Sequence, residues 1–142
     1  MTSDAKKQGR PPSRTKAAYA NLPLVYSCSG CSDVAQLANS MAVRLDREKL
    51  AEMSCIAGVG GGVRALVKTA CSGRKILALD GCPLHCVRHC LEQVGVSPTV
   101  HVDLSRAGVK KSFHADPSPN EAKRVWAAVI LPAIARLRQD AP

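Results

Sequence analysis

The chain has 142 residues, within the roughly 100–200 of a single domain, and its 46% hydrophobic against 22% charged composition is enough to build a core. Twenty Lys and Arg against eleven Asp and Glu give a net charge of +9, which favours acidic partners, but only four aromatics (Trp126, Tyr19, Tyr26, Phe113) are available to stack nucleic-acid bases. No apolar run approaches the ~20 residues that span a bilayer, and the basic N-terminus leads into Gly9-Arg10-Pro11-Pro12, so neither signal peptide nor membrane anchor is expected and a cytoplasmic location follows.

Residues 1–20 read as a disordered basic tail, with Lys6, Lys7, Arg10, Arg14 and Lys16 against Asp4 and little to bury. Its Lys6-Lys7-Gln8-Gly9-Arg10-Pro11 segment is similar to the short basic arms that enter A·T minor grooves. A solvated tail is the expectation, and nucleic acid is not counted as a partner. Residues 21–140 form the single folded domain. Leu22–Ser27 is an apolar strand, followed by a helix whose stripe is Val34, Leu37, Ala38, Met41 and Leu45, capped by Ser32 or Asp33. Ala51–Ile56 is a brief second strand, Gly58–Gly62 a loop, and Val63, Leu66, Val67 and Ala70 mark a second helix. Lys75–Leu79 is the third strand, and Pro83 suits the first position of a helix carrying Val87, Leu91 and Val94, ended by Gly95. Pro98–Leu104 alternates as a fourth strand. Pro119–Arg138 is a final helix, kinked at Pro132, that covers the sheet with Val125, Val129, Ala133 and Leu137 rather than lying on a membrane.

Strands alternating with helices at this spacing predict an α/β fold: a mostly parallel sheet of about four strands with helices on both faces, in the flavodoxin or Rossmann manner. Seven cysteines cannot all pair, and in a reducing compartment they stay thiols. Cys28, Cys55 and Cys82 are spaced 27 residues apart, about one strand-helix unit, and each lies just past a strand. Ligands of open parallel sheets bind outside the carboxyl ends of the strands, so these thiols, joined by Cys31 and Cys86, converge on one patch. Cys31 and Cys82 lie near helix starts, which favour thiolate. Cys71 follows the second helix, away from the patch, and Cys90 points into the core below it. His85 and His89 are placed on a solvated face, and His101 and His114 have no partner visible in the sequence.

Cys28-Ser29-Gly30-Cys31-Ser32-Asp33, Gln36-Leu37-Ala38-Asn39, Met53-Ser54-Cys55-Ile56-Ala57-Gly58-Val59-Gly60-Gly61, Asp80-Gly81-Cys82-Pro83 with Cys86, and His101-Val102 through Gly108-Val109-Lys110-Lys111 resemble the DGC family. That family is named for its Asp-Gly-Cys motif and described as zinc-binding on the strength of its cysteines. The resemblance covers about residues 25–112 and implies Cys28, Cys31, Cys55, Cys82 and Cys86 as metal residues, with Cys71 and Cys90 outside the pattern. A more distant likeness, to the cluster-binding domain of nickel-iron hydrogenase small subunits, implies a 4Fe-4S cluster on Cys28, Cys31, Cys55 and Cys82. The departure is Leu84, where those subunits continue with a second proline. Four thiolates suit either metal.

The expected function is that of a small cytosolic metal-binding protein with a four-cysteine zinc site, structural, metal-carrying or regulatory. The alternative is an iron-sulfur electron-transfer or assembly protein, and the third reading a thiol redox enzyme using Cys28 or Cys31 with Cys86 as resolving thiol. Nothing in the sequence obliges the chain to be an enzyme. Its expected partner is the metal ion, with no membrane.

Overall fold

The computed structural model describes residues 14–139. Four strands, β1 (Leu24–Ser27), β2 (Glu52–Met53), β3 (Ile76–Asp80) and β4 (Val100–Asp103), form one sheet in the order β2-β1-β3-β4. All three pairings are parallel. Every residue of β1 and β3 is buried, as expected of central strands covered on both faces. The edge strand β4 alternates buried Val100 and Val102 with half-buried His101 and Asp103.

The helices are α1 (Arg14–Tyr19), α2 (Asp33–Arg47), α3 (Ile56–Gly60), α4 (Arg64–Ala70), α5 (Cys86–Gln93), α6 (Pro119–Val125) and α7 (Leu131–Gln139). Because side chains alternate across a strand, the sheet supports two cores. Val25, Leu77, Leu79, Val100 and Val102 pack against Leu37, Met41 and Leu45 of α2 and against Val125, Trp126, Ile130, Ile134 and Leu137. Leu24, Tyr26, Ile76 and Ala78 pack against Val59, Ala70, Val87 and Leu91 from α3, α4 and α5. The result is the expected three-layer α/β architecture. Ser32 caps α2, its Oγ accepting from Ala35 N at 3.2 Å.

Four local expectations change. Strand β2 is only two residues long, because Cys55 turns the chain into α3 and so draws part of the glycine segment into a helix. Pro83 does not open a helix: Pro83 and Leu84 lie in a turn, and α5 begins at Cys86. The last helix is interrupted by a π-helical turn, Trp126–Ile130, immediately before α7. Pro132 has no N–H to return to the carbonyl of Ala128, and the wider turn accommodates that missing bond upstream of the proline. Residues 14–19 of the tail are helical, with the Tyr19 hydroxyl donating to Asp46 O at 2.9 Å. The rest of the expected tail, residues 1–13, lies outside the described residues.

No helix among the described residues is long and apolar enough to cross a membrane.

Candidate functional site

In this strand order the chain leaves β1 for β2 on one side and returns past it to β3 on the other. The crevice between the carboxyl ends of β1 and β3 is therefore the topological switch point, where sheets of this kind place ligands. Cys28 follows β1 there, and Asp80-Gly81-Cys82 follows β3. Cys28 N donates to Leu79 O at 3.1 Å, which carries the parallel ladder one residue beyond the strands. Gly81 N then donates to Cys28 Sγ at 3.3 Å.

Each residue of the Asp-Gly-Cys motif has a separate task. Asp80, 1% exposed, accepts from Val87 N at 2.9 Å and Arg88 N at 3.4 Å, satisfying the first turn of α5, and from His101 Nε2 at 2.8 Å. Gly81 lies against the first turn of α2, where a Cβ would stand 2.6 Å from Val34 O and 2.7 Å from its carbonyl carbon. Those are backbone atoms and cannot swing aside. Gly81→Ala should therefore cost about 1–3 kcal/mol, seen as a lower urea midpoint in equilibrium unfolding; an unchanged midpoint would show that α2 and the β3–α5 turn are not in contact. Cys82 is half-buried, and the Lys111 ammonium donates to its Sγ at 3.5 Å.

Lys111 reaches the site because the segment after β4 folds back over α2. Asp33 N donates to Ser112 O at 3.0 Å, Ser112 N to the Asp33 carboxylate at 2.7 Å, and His114 N to Cys31 O at 3.1 Å. Ser32 and Phe113 form a single antiparallel bridge. On the other side the Gln36 side-chain amide donates to Gly30 O at 2.7 Å, clamping the loop between Cys28 and Cys31.

The five predicted site cysteines all lie at this end of the sheet. Cys28 and Cys82 are half-buried; Cys31, Cys55 and Cys86 are exposed. Asp80, Cys82 and Cys86 are close enough to Cys28 to act on its charge. Burial pushes the Cys28 thiol up to about 11; the Gly81 N–H opposes this, while Asp80, Cys86 and Cys82 add to it. Cys55 is one strand further out, after β2, and its Sγ accepts from Gly58 N at 3.4 Å at the start of α3. Cys31 lies near a helix start, one residue before the Ser32 cap, as expected; Cys55 caps α3 and Cys86 opens α5, whereas Cys82 stands in the turn four residues before α5. Among the described residues no three His, Cys, Asp or Glu side chains stand close enough together to hold one ion.

Cys71 follows α4, away from the patch as expected, but it is exposed rather than in the core where a free cysteine is most often found, and its thiol donates to Val94 O at 3.7 Å. Cys90 is half-buried rather than in the core. It packs on α3, where a Cβ at Gly60 would stand 2.9 Å from its sulfur. Burial raises its pKa, helped by Cys86 and Asp80.

The histidines depart most from expectation. His85 is not on a solvated face: its Nε2 is 2.8 Å from Asp103 Oδ2, and its ring meets that of His101 edge-on at 4.6 Å and 87°. His101 pairs with Asp80. Asp103 also accepts from Ser105 N at 2.9 Å and Ser105 Oγ at 2.6 Å. Burial pulls its pKa up, but the bonds from Ser105 and His85 outweigh this and hold it below the usual carboxylate value. The spacing of His101 and Asp103, two apart on a strand, places both on one face, and that was the available signal for this cluster.

The profile of the DGC domain matches residues 24–129. The anaerobic and virulence modulator AnvM of Pseudomonas aeruginosa strain PAO1 is 63% identical over 105 residues, covering 74% of this chain and 80% of that one. No solved structure matches the chain.

Proposed function

The chain belongs to the DGC family, and from that premise we propose that it is a zinc-binding regulatory protein whose metal is held by thiolates at the carboxyl ends of the strands. The ligands are drawn from Cys28, Cys31, Cys55, Cys82 and Cys86, with Cys28 and Cys82 central. The observation that carries this reading is the β1–β3 crevice, where a backbone N–H is aimed at Cys28 Sγ and an ammonium at Cys82 Sγ. At Cys28 the Gly81 N–H opposes the burial that raises the thiol to about 11, and a bound cation would do the rest by favouring the thiolate. The thiols are of the donor type that zinc takes, and an ion bound here would have to draw Cys31, Cys55 or Cys86 toward Cys28 and Cys82, since among the described residues no three of them stand together. Zinc bound by a closed protein ligand set supplies no redox chemistry and acts through structure. The regulatory part is supported by the relative, which is named a modulator. Seven free cysteines suit a reducing compartment, so we place the protein in the cytoplasm.

A 4Fe-4S cluster is the second reading. It is favoured by the backbone donors from Gly81 to Cys28 and from Gly58 to Cys55, which suit a cluster's sulfur-rich surroundings.

Titrating the reduced full-length chain with zinc against a chelating dye, without oxygen, should show saturable binding at about one equivalent for one thiolate site. Absence of saturable binding would contradict the proposal.

A further inference from the structure

We propose that α4 and the turn after α5 form a docking groove for an acidic amphipathic helix of a partner protein. This goes beyond the zinc reading and does not depend on it. The groove has a volume of about 690 Å³, and Gly62, Ala65, Val67 and Val94 give it an apolar floor. Arg64 and Lys68, both exposed, line it as well, and no acidic side chain of the described residues does. The fold leaves α4 open. Of its seven residues only Ala70 is buried, and Val63, which precedes it, is 50% exposed. Apolar residues scattered singly over a surface are ordinary, whereas Ala65, Val67 and Val94 share one concavity.

The charges give the sign of the partner. Arg64 and Lys68 are i, i+4 neighbours and repel each other across one helical turn. On α2 and α5 the same spacing joins opposite charges, Arg44 to Glu48 and Arg88 to Glu92. Among the described residues neither Arg64 nor Lys68 makes an ion pair, and Glu92, two residues before Val94, is already held by Arg88. Carboxylates on a partner relieve this repulsion. At 1.5 Å per residue α4 is about 10 Å long, the span of two turns of a helix laid beside it. Apolar side chains at i and i+4 of that helix meet the floor, while Asp or Glu on its flank meets Arg64 and Lys68. The aliphatic floor has no ring on which a nucleic-acid base could stack. A bilayer takes apolar side chains that project into it, and here the apolar surface is recessed. A second copy of the chain brings a further +9 and is repelled.

The test uses a helical peptide of about 18 residues, with leucines at i, i+4 on one face and glutamates flanking them, titrated into the isotope-labelled full-length chain and followed by NMR. Backbone amide shifts should saturate and centre on residues 62–71 and Val94, and binding should weaken with salt. Arg64→Glu combined with Lys68→Glu should weaken binding at least about tenfold with the fold intact by circular dichroism, and should instead bind the peptide in which lysine replaces glutamate. Ala65→Arg, which puts a long side chain on the floor, should abolish binding. Shifts centred on the thiol end of the sheet, equal binding of both peptides by the parent, no saturable shift at millimolar peptide, or binding to phosphatidylserine vesicles without binding to the peptide would each overturn the proposal. Zinc binding should be the same in parent and variants, so the groove and the zinc reading fail separately.

Discussion

Asp80→Ala should lower stability by about 3 kcal/mol, because two backbone N–H groups and an imidazole lose a shared acceptor and an unsatisfied buried donor costs about 1–3 kcal/mol. The carboxylate is the only acceptor for Val87 N and Arg88 N among the described residues and the partner of His101. Its loss leaves the first turn of α5 and an imidazole without a bond around a position that is itself 1% exposed. Asp80→Asn, retaining one carbonyl oxygen toward Val87 N, should cost about half as much. Thermal melts followed by circular dichroism, with chelator present so that metal does not contribute, should show a fall in Tm on the order of 10 °C for the alanine variant. An Asp80→Ala protein that melts with the parent would mean that this capping and pairing network does not hold the site.

Cys28→Ser and Cys82→Ser should each release most of the zinc and remove the stability that comes with it. A ligand bound only by the folded state stabilises by about 4 kcal/mol at a concentration a thousand times its Kd, so the loss should appear as a lower Tm in zinc that disappears in chelator. Cys71→Ser is the control. Its thiol is exposed beyond α4 and faces Val94 O, so metal content and melting should both be unchanged. Full zinc content in both Cys28→Ser and Cys82→Ser would rule out the crevice as the centre of the site.

Much of this was legible in the residues because the governing rules are periodic. Apolar stripes give α2 and α5, continuous apolar runs give β1 and β3, and the 27-residue spacing of Cys28, Cys55 and Cys82 follows from one thiol per strand-helix unit. What was not legible depends on contacts distant in sequence. Lys111 meets Cys82 only because Asp33 and Ser112 tie their segments together across 79 positions. His85 meets Asp103 only because β3 and β4 are neighbours, so a histidine in a turn falls beside a carboxylate at the end of another strand. Nothing local to Gly81 announces the approach of the α2 backbone that excludes a side chain there. The π-helical turn shows the same limit, since Pro132 announces a disturbance of the helix but not its form.

The central claim is that the cysteines at the carboxyl ends of the strands hold zinc, and the most direct measurement is the metal content of the full-length chain purified without oxygen. The account predicts a colourless protein with about one zinc per chain and no stoichiometric iron, as expected for a single thiolate-rich site. A brown protein carrying stoichiometric iron and acid-labile sulfide, or one carrying no metal, would contradict it.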